Sequence, residues 1–272
     1  MMDFGARFDW MGVTFDGYDD GREAAKLAAS LGCEEIVARG RNGYAQALSL
    51  VRDGDELARV YGHSARAGEV HIEATSESCD EVVPRLREFW PDHRVARADS
   101  AVDYEADFDS LDLLAVAFAQ ENGISYSLIT NSEGGATRYL GSRKSENYVR
   151  VYKKSEQLRA LHPERAEDVP DGIVRFELEA KPGKRDTKEA VALMTADQLW
   201  GLGEWTQKFA AQFLGIDAPR VSTHFRRPSD WTRVLHYLGE QYRPSVERRI
   251  DQVGATRALA EVVDALGLGV LS

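Results

Sequence analysis

The stretch Arg138–Glu156, RYLGSRKSENYVRVYKKSE, is the part of the sequence that decides how the rest is interpreted. Its apolar and aromatic residues predict two short β-strands, at residues 138–140 and 147–153. The residues between them, 141–146, are rich in turn formers, so the stretch is expected to form a β-hairpin. A hairpin at this position predicts an antiparallel sheet in the middle of the chain.

The second strand of the hairpin has two unlike faces. Because side chains alternate along a strand, Tyr148, Arg150 and Tyr152 are expected on one face, and Val149 and Val151 on the other. The valine face suits a hydrophobic core. The Tyr-Arg-Tyr face is not typical of a core and indicates a functional surface.

The hairpin is also basic, although the chain as a whole has a formal net charge of -11. A local basic surface on an acidic protein favours a polyanionic partner. One tyrosine could stack on a base and the other could attack a phosphate. The alternative is an ordinary solvated basic hairpin. The cations predicted to contact DNA are Arg138, Arg143, Lys144, Arg150, Lys153 and Lys154.

Three further predicted strands carry charged residues on one face, which suggests that all four strands share one polar sheet face. Carboxylates gathered on that face would repel each other unless a cation bound between them. Oxygen-rich sites suit Mg²⁺ or Mn²⁺, and an imidazole favours Mn²⁺. The alternative is a set of cross-strand ion pairs. The charged sets are His71/Glu73, Arg97/Asp99/Asp103 and Arg175/Glu177/Glu179.

The predicted fold is therefore α+β, with an antiparallel sheet, a polar catalytic face and flanking helices. We assign this catalytic domain to residues 1–183. After Pro182-Gly183 the periodicity becomes helical, so residues 184–272 are predicted to form a helical C-terminal region for DNA binding or dimerisation. Its cation-rich part, 220–249, could read duplex DNA or form a dimer. The helices predicted there span 187–195, 196–214, 229–240, 245–252 and 256–266.

Several function classes lack their sequence signatures. The chain has no GxGxxG, GxxxxGK[ST] or GxSxG motif, so nothing points to a dinucleotide enzyme, an NTPase or an α/β-hydrolase. Its two cysteines, Cys33 and Cys79, have neither zinc-site nor disulfide-framework spacing. No apolar run approaches the roughly 20 residues that span a bilayer, and the N-terminus does not resemble a signal peptide. We expect a cytoplasmic protein without membrane contact.

An ordered set of motifs resembles the replication initiation factor family of rolling-circle plasmids and phages, which also includes relaxases of integrative elements. The resemblance depends on the set of motifs and on their order along the chain. The motifs are FDWMGVTF at 8–15, VHIEATSESC at 70–79, RADSAVDY at 97–104, RYLGSRKSENYVRVYKK at 138–154 and RFELEAK at 175–181.

The resemblance implies roles for particular residues. Tyr152 matches the expected nucleophilic tyrosine, with Tyr148 as the second choice. The four acidic residues that match the family's acidic strands are candidate metal ligands. Wider HUH nicking enzymes use a His-hydrophobic-His pair, which this chain lacks, and His71 is the nearest counterpart. For His71 the sequence favours the alternative of a hydrogen-bonded edge histidine, and the alternative for Tyr152 is a half-buried strand aromatic. The metal candidates are Asp99, Asp103, Glu177, Glu179 and His71.

The function implied is that of a metal-dependent tyrosine nickase and ligase. It would cut one strand at an origin through a 5′-phosphotyrosine intermediate and leave a free 3′-OH. The partners implied are DNA, as origin duplex and single strand, a second copy of the chain in a homodimer, and a host helicase. Three alternatives remain: a relaxase with the same chemistry, a non-catalytic DNA-binding regulator on the same fold, and a metal-dependent nuclease without a covalent intermediate.

Overall fold

The structure, a computed structural model, describes residues 5–16, 19–64, 68–132, 134–221 and 245–265. The chain divides into two compact units, Met1–Thr223 and His224–Ser272. The division lies after the predicted boundary at residue 183 because the first helices beyond it belong to the first unit. Arg87, for example, donates a hydrogen bond from Nε to the carbonyl of Ala192 at 2.9 Å.

The described residues of the first unit form ten strands in a single antiparallel sheet, which confirms the predicted α+β class. Its order is β2-β3-β4-β5-β1-β6-β10-β9-β8-β7. The predicted hairpin is β8 and β9. The strands are β1 Arg7–Phe15, β2 Glu34–Arg39, β3 Tyr44–Arg52, β4 Asp55–Ser64, β5 Val70–Thr75, β6 Arg94–Glu105, β7 Tyr126–Thr130, β8 Ala136–Leu140, β9 Asn147–Lys153 and β10 Ile173–Ala180.

The two halves of the sheet have the same topology. In the first half a strand, a helix and four strands follow each other, with spatial order β2-β3-β4-β5-β1. The second half repeats this strand order as β7-β8-β9-β10-β6, and it differs in having a helix, Lys154–Leu161, and a 3₁₀ turn between β9 and β10. The halves meet where β1 pairs antiparallel with β6. An antiparallel join of equivalent strands relates the halves by an approximate two-fold axis perpendicular to the sheet.

Nine α-helices lie in the described residues, and three short 3₁₀ segments accompany them at Ser76–Ser78, Pro163–Asp168 and Trp200–Leu202. None of the described helices has the length and apolar character needed to cross a membrane. The helices are α1 Asp20–Leu31, α2 Cys79–Phe89, α3 Phe108–Glu121, α4 Lys154–Leu161, α5 Arg185–Leu193, α6 Ala196–Leu199, α7 Glu204–Phe213, α8 at 245–253 and α9 Ala255–Ala265.

Two helix predictions were wrong in detail. The sequence pattern predicts Ser110 as the N-cap of α3, but Ser110 lies inside the helix. The cap is Asp107, whose carboxylate accepts a hydrogen bond from the Ser110 backbone N–H at 2.8 Å. The single helix predicted at 196–214 is broken at Gly203, which has an extended backbone between the 3₁₀ turn and α7. The helix predicted at 229–240, and most of the basic segment 220–249, lie outside the described residues.

The hydrophobic core lies between one face of the sheet and helices α1, α2, α3, α5 and α7. Val149 and Val151 are fully buried in it, as their alternation predicted. Phe15 stacks on Trp90 next to α2, with ring centroids 4.7 Å apart. Because the helices cover this face, the opposite face of the sheet is the one available for function.

The described part of the second unit consists of α8 and α9. Gly254, with a φ of 83°, separates the two helices. Arg249 of α8 forms a bidentate ion pair with Glu261 of α9, at 2.8 and 2.9 Å.

Candidate active site

The strand register brings the predicted polar residues of the second half onto one face of the sheet. Glu179 of β10 lies opposite Asp99 of β6 on one side and opposite Tyr148 of β9 on the other. Two residues earlier, Glu177 lies opposite Arg150. Directly opposed residues share a face, so these five side chains form one cluster, which we call the acidic cluster.

Each phenol of β9 donates a hydrogen bond to a glutamate of β10. The Tyr152 hydroxyl lies 3.0 Å from Oε2 of Glu177, and the Tyr148 hydroxyl lies 2.6 Å from Oε2 of Glu179. Burial raises the pKa of both phenols, and the adjacent carboxylates raise it further. Both are covered, with 4% of Tyr148 and 7% of Tyr152 exposed. Neither phenol ionises spontaneously near neutral pH, so a reaction at either oxygen requires a base.

Two arginines hold the three carboxylates together. Arg97 donates from Nε to Oδ1 of Asp99 at 2.9 Å, and its Nη2 lies 3.0 Å from Oε2 of Glu179. Arg150 forms an ion pair with Glu177, and its Nη2 lies 3.6 Å from Oδ2 of Asp99. The cross-strand ion pairs considered as the alternative are therefore present. These ion pairs do not exclude a reactive role for the carboxylates, because they hold three carboxylates and two guanidinium groups close together.

The charge states within the cluster are shifted in opposite directions. Burial raises the pKa of Asp99, outweighing Arg97, and the nearby Glu177 and Glu179 add to the increase. Burial also acts to raise the pKa of Glu179, but hydrogen bonds from Lys181 and Tyr148 outweigh it and lower that pKa. Asp99 is thus the carboxyl of this pair that more readily takes up a proton.

The charged face of β10, which was predicted to belong to the polar face of the sheet, is buried. Arg175, Glu177 and Glu179 are each 2% exposed. The rings of β9 and the arginine partners cover them, so β10 is buried on both faces. This arrangement is stable only because each buried charge has a partner of opposite sign.

Asp103 lies on the same face but in a separate ion-pair network. It accepts from Nε and Nη2 of Arg175 at 2.6 and 2.7 Å, and from Nη2 of Arg7 at 2.9 Å. Burial acts to raise the pKa of Asp103, but Arg175 outweighs it and lowers that pKa. Arg175 also donates to Asp9 at 2.7 Å. Asp103 is therefore not a neighbour of the three carboxylates in the acidic cluster.

His71 lies in the first half of the sheet. Its Nδ1 is 3.1 Å from the Thr14 hydroxyl and its Nε2 is 3.2 Å from Oε1 of Glu73. Across the described ranges, no three His, Cys, Asp or Glu side chains are arranged so that they could hold a metal ion. The five candidate ligands thus do not converge: Asp99, Glu177 and Glu179 lie together, whereas Asp103 and His71 lie elsewhere, and arginines supply the positive charge.

A groove of about 1160 Å³ opens beside the ion pairs of Arg175. Asp103, Lys154 and Arg175 line it, together with Arg7 and Asp9 at the start of β1. Burial lowers the pKa of Lys154, and Arg175 lowers it further. Lys154 Nζ also lies 6.0 Å from the centre of the Tyr152 ring. The groove therefore places cations beside the covered phenol.

The predicted DNA-binding cations do not all share this surface. Arg138 is buried and points to the opposite face, where it pairs with both oxygens of Asp112 at 2.5 and 2.7 Å. Arg143 is exposed and lies 4.4 Å from the centre of the Tyr139 ring. Of the others, Lys144 is exposed in the turn, Arg150 is in the acidic cluster, Lys153 lies over Phe108 and Lys154 lines the groove.

Some residues at the polar face were not among the sequence-based candidates. Arg97 was assigned to the charged face of its strand, but neither Arg97 nor Trp10 was chosen as a site residue. No sequence pattern pointed to Arg41 or Tyr61 as site residues. Arg41 lies in a turn, and Tyr61 lies in a strand whose sequence does not alternate clearly. Both contact Glu73, which links them to the same face.

Comparisons with known proteins agree with this architecture. Residues 94–261 match the sequence profile of the replication initiation factor family. The structure is similar to a solved structure of the rolling circle replication initiator protein from Geobacillus stearothermophilus, with a TM-score of 0.54 and 18% sequence identity. The similarity covers 80% of this chain and 99% of that one. No curated protein matches the sequence.

Proposed function

Because this chain belongs to the replication initiation factor family, we propose that it is a cytoplasmic rolling-circle replication initiator that nicks and rejoins one DNA strand through Tyr152. One observation carries the proposal: the Tyr152 hydroxyl donates to Glu177 within a cluster that also contains Asp99 and Arg150. A phenol, a carboxylate base and a cation are the groups that such a reaction needs.

The reaction begins with proton transfer from the phenol. Glu177 is within hydrogen-bonding distance of the hydroxyl and accepts its proton, because the raised pKa of Tyr152 prevents spontaneous ionisation. The phenol oxygen forms a bond to phosphorus while the bond between phosphorus and the 3′-oxygen breaks. The 3′-oxygen takes up a proton and leaves as a free 3′-OH. The 5′-phosphate stays on the tyrosine, so rejoining needs no ATP.

The cations beside the phenol stabilise the phosphate during attack. Arg150 lies in the acidic cluster, and Lys154 and Arg175 line the adjoining groove. Preorganised cations at the place where negative charge develops are a large source of rate enhancement. Tyr148 is the second candidate nucleophile, held by Glu179 in the same way.

The resemblance to the family also implies Mg²⁺ or Mn²⁺, but the described residues do not present a ready set of ligands. An ion at Asp99, Glu177 and Glu179 would compete with Arg97 and Arg150 for the same oxygens. None of the proposed reaction steps therefore depends on a metal ion. The proposed partners are DNA, as origin duplex and single strand, a second copy of the chain in a homodimer, and a host helicase. We assign catalysis to residues 1–183 and DNA binding or dimerisation to residues 184–272.

A non-catalytic DNA-binding regulator is the second candidate. Two observations favour it: both phenols are covered, and the carboxylates are already paired with arginines. On this alternative the polar face binds DNA without cutting it.

The deciding experiment uses supercoiled DNA that carries the gene's own upstream region, incubated with the protein and Mg²⁺ or Mn²⁺. The proposal expects nicked circles with protein on the 5′ end, lost in Tyr152→Phe and retained in Tyr148→Phe. A parallel reaction with EDTA tests the ion. Mobility shifts without any cleavage would favour the regulator, and cleavage retained in both variants would indicate a nuclease without a covalent intermediate.

A further inference from the structure

The repeated topology aligns the two halves of the sheet residue by residue. Glu73 of β5 lies opposite Gly12 of β1, just as Glu179 of β10 lies opposite Asp99 of β6. The join between the halves is consistent with this alignment, because Trp10 pairs with Asp99 and Gly12 pairs with Arg97. Gly12 therefore takes the position of Asp99, and Glu73 takes that of Glu179.

The alignment extends to the neighbouring residues. His71, two residues before Glu73, takes the position of Glu177. Tyr61 lies opposite His71, as Arg150 lies opposite Glu177. The first half therefore keeps only one of the three carboxylates of the acidic cluster. A glycine replaces the aspartate, so this half has a different chemistry at the equivalent place.

A cavity of about 500 Å³ lies at this equivalent place, which we call the first-half pocket. Its size is within the range of small-molecule sites. Gly12 helps to keep it open, because a Cβ there would lie 3.3 Å from Trp10 Nε1 and 3.4 Å from His71 Cε1. The lining residues are Trp10, Gly12, Thr14, Arg41, Asn42, Tyr44, His71, Glu73, Ala96 and Arg97.

Aromatic rings form much of the wall. Tyr44 and His71 are stacked, with centroids 5.7 Å apart and an interplanar angle of 21°. Tyr61 packs behind His71 at 5.6 Å. On the other side, the guanidinium of Arg97 lies 4.5 Å from the centre of the Trp10 ring. Flat rings and a guanidinium plane suit a flat aromatic ligand.

The polar groups of the pocket are held in place by Glu73. Arg41, Tyr61 and His71 all bond to its carboxylate. Burial acts to raise the pKa of Glu73, but these hydrogen bonds outweigh it and lower that pKa to about 2. The side chain of Arg41 is 48% exposed, so its charge is accessible to an anion. A base in the pocket would therefore have a cation near its phosphate.

We propose that the first-half pocket binds one unpaired base of single-stranded DNA, held by stacking, with its phosphate near Arg41. This inference rests on the proposed function and defines where the strand runs. The pocket lies on the same sheet face as the acidic cluster, and Arg97 connects them, since it lines the pocket and forms an ion pair with Asp99. Four interstrand spacings separate β5 from β9, the strand that carries Tyr152, or about 19 Å. A strand of a few nucleotides therefore reaches from the pocket to Tyr152.

The first test measures binding of a fluorescein-labelled oligothymidylate by anisotropy. Tyr44→Ala is expected to weaken binding about tenfold, since base stacking on an aromatic side chain contributes about 1–3 kcal/mol. The matched control is Tyr126→Ala, which removes a tyrosine from β7, where Tyr126 is directly opposite the core residue Leu140. Equal affinities of wild type and Tyr44→Ala would overturn the proposal.

A second test does not depend on the stability of an alanine variant. Mononucleotides are titrated into the wild type while tryptophan fluorescence is followed, and Trp10→Phe serves as the comparison. Quenching in the wild type that is lost in Trp10→Phe is the expected result. Quenching that persists in Trp10→Phe would place the base elsewhere and contradict the proposal.

Nicking assays on the same proteins separate the two proposals. If the wild type binds oligothymidylate through Tyr44 but never nicks, the pocket proposal stands and the nickase proposal fails. If the wild type nicks normally and neither Tyr44→Ala nor Trp10→Phe changes binding, the pocket proposal fails alone. Removing single bases from a nicked substrate is expected to weaken binding at one position a few nucleotides from the cut.

Discussion

Arg150 and Glu177, directly opposite each other on β9 and β10, form an ion pair in the buried part of the sheet's polar face. Glu177 is almost fully buried and Arg150 is 24% exposed at its side chain. Removing one partner of such a pair leaves a buried charge without compensation, which is far more costly than removing both. The pair therefore offers a stability test that is independent of activity.

We expect Arg150→Met to lower the free energy of unfolding by about 3–5 kcal/mol, because it leaves the buried Glu177 carboxylate without its ion-pair partner. Adding Glu177→Gln is expected to recover most of that loss, since the amide oxygen still accepts from Tyr152. Urea unfolding of the two single variants and the double variant measures the coupling. Additive losses in the double variant would show that the two side chains do not interact.

Glu73 is expected to make the protein sensitive to acid. Its pKa falls from an ordinary 4.5 in the unfolded chain to about 2 in the folded protein. The stability that Glu73 contributes is therefore complete at a pH above 4.5 and is lost as the pH falls through the pKa of the folded protein. The shift corresponds to at most about 3 kcal/mol. Glu73→Gln should flatten the dependence of unfolding free energy on pH between 4.5 and 2. An unchanged slope in that window would contradict the assignment.

Arg138 and Arg143 are expected to behave differently, although both are cations of the predicted basic hairpin. Arg143 is exposed, so Arg143→Ala should weaken DNA binding and reduce the slope of log affinity against log salt by about 1, without loss of stability. Arg138→Met should instead destabilise the protein, because Asp112 loses its bidentate partner. Salt-dependent anisotropy and urea unfolding distinguish the two. A salt-slope change for Arg138→Met at unchanged stability would reverse these roles.

Gly201 is required by a close approach of the backbone. A Cβ at this position would lie 2.1 Å from the carbonyl oxygen of Pro219. We expect Gly201→Ala to cost about 1–3 kcal/mol of unfolding free energy, as overpacking does in other proteins. Gly21→Ala in α1 is the matched control, where the nearest atom is Asp19 Oδ1 at 3.5 Å and alanine raises stability by up to about 1 kcal/mol. Equal stabilities of Gly201→Ala and the wild type would contradict this explanation.

Alternation along single strands predicted much of the fold. It assigned the Val149 and Val151 face to the core and the Tyr148 and Tyr152 face to the other side, and the register agrees. It also indicated that the charged strands share one face. Alternation works here because the core covers only one side of the sheet, so each strand has distinguishable faces.

The sequence did not predict which side chains pair with each other across strands. The local pattern gives the face of Asp103 but not its register, so nothing indicated that Arg175 would pair with it and separate it from Asp99. Likewise Arg138 is basic and near the tyrosines in sequence, yet its side chain lies on the opposite face of the sheet, where it contacts Asp112. The position of His71 in a separate pocket required the topology, because β1 and β6 intervene between β5 and β10.

The ladder between β1 and β6 is the sole strand pairing that connects the two halves in the described sheet. A fragment ending between α2 and β6 would leave β1 with bare amide and carbonyl groups along its length, and the remaining fragment would leave β6 equally bare. Since these strands are equivalent by the two-fold relation, each fragment carries an edge that can bind a copy of itself as well as its counterpart. Splitting the gene at that point would thus create two competing assemblies: the reconstituted protein and a symmetric pair of identical halves.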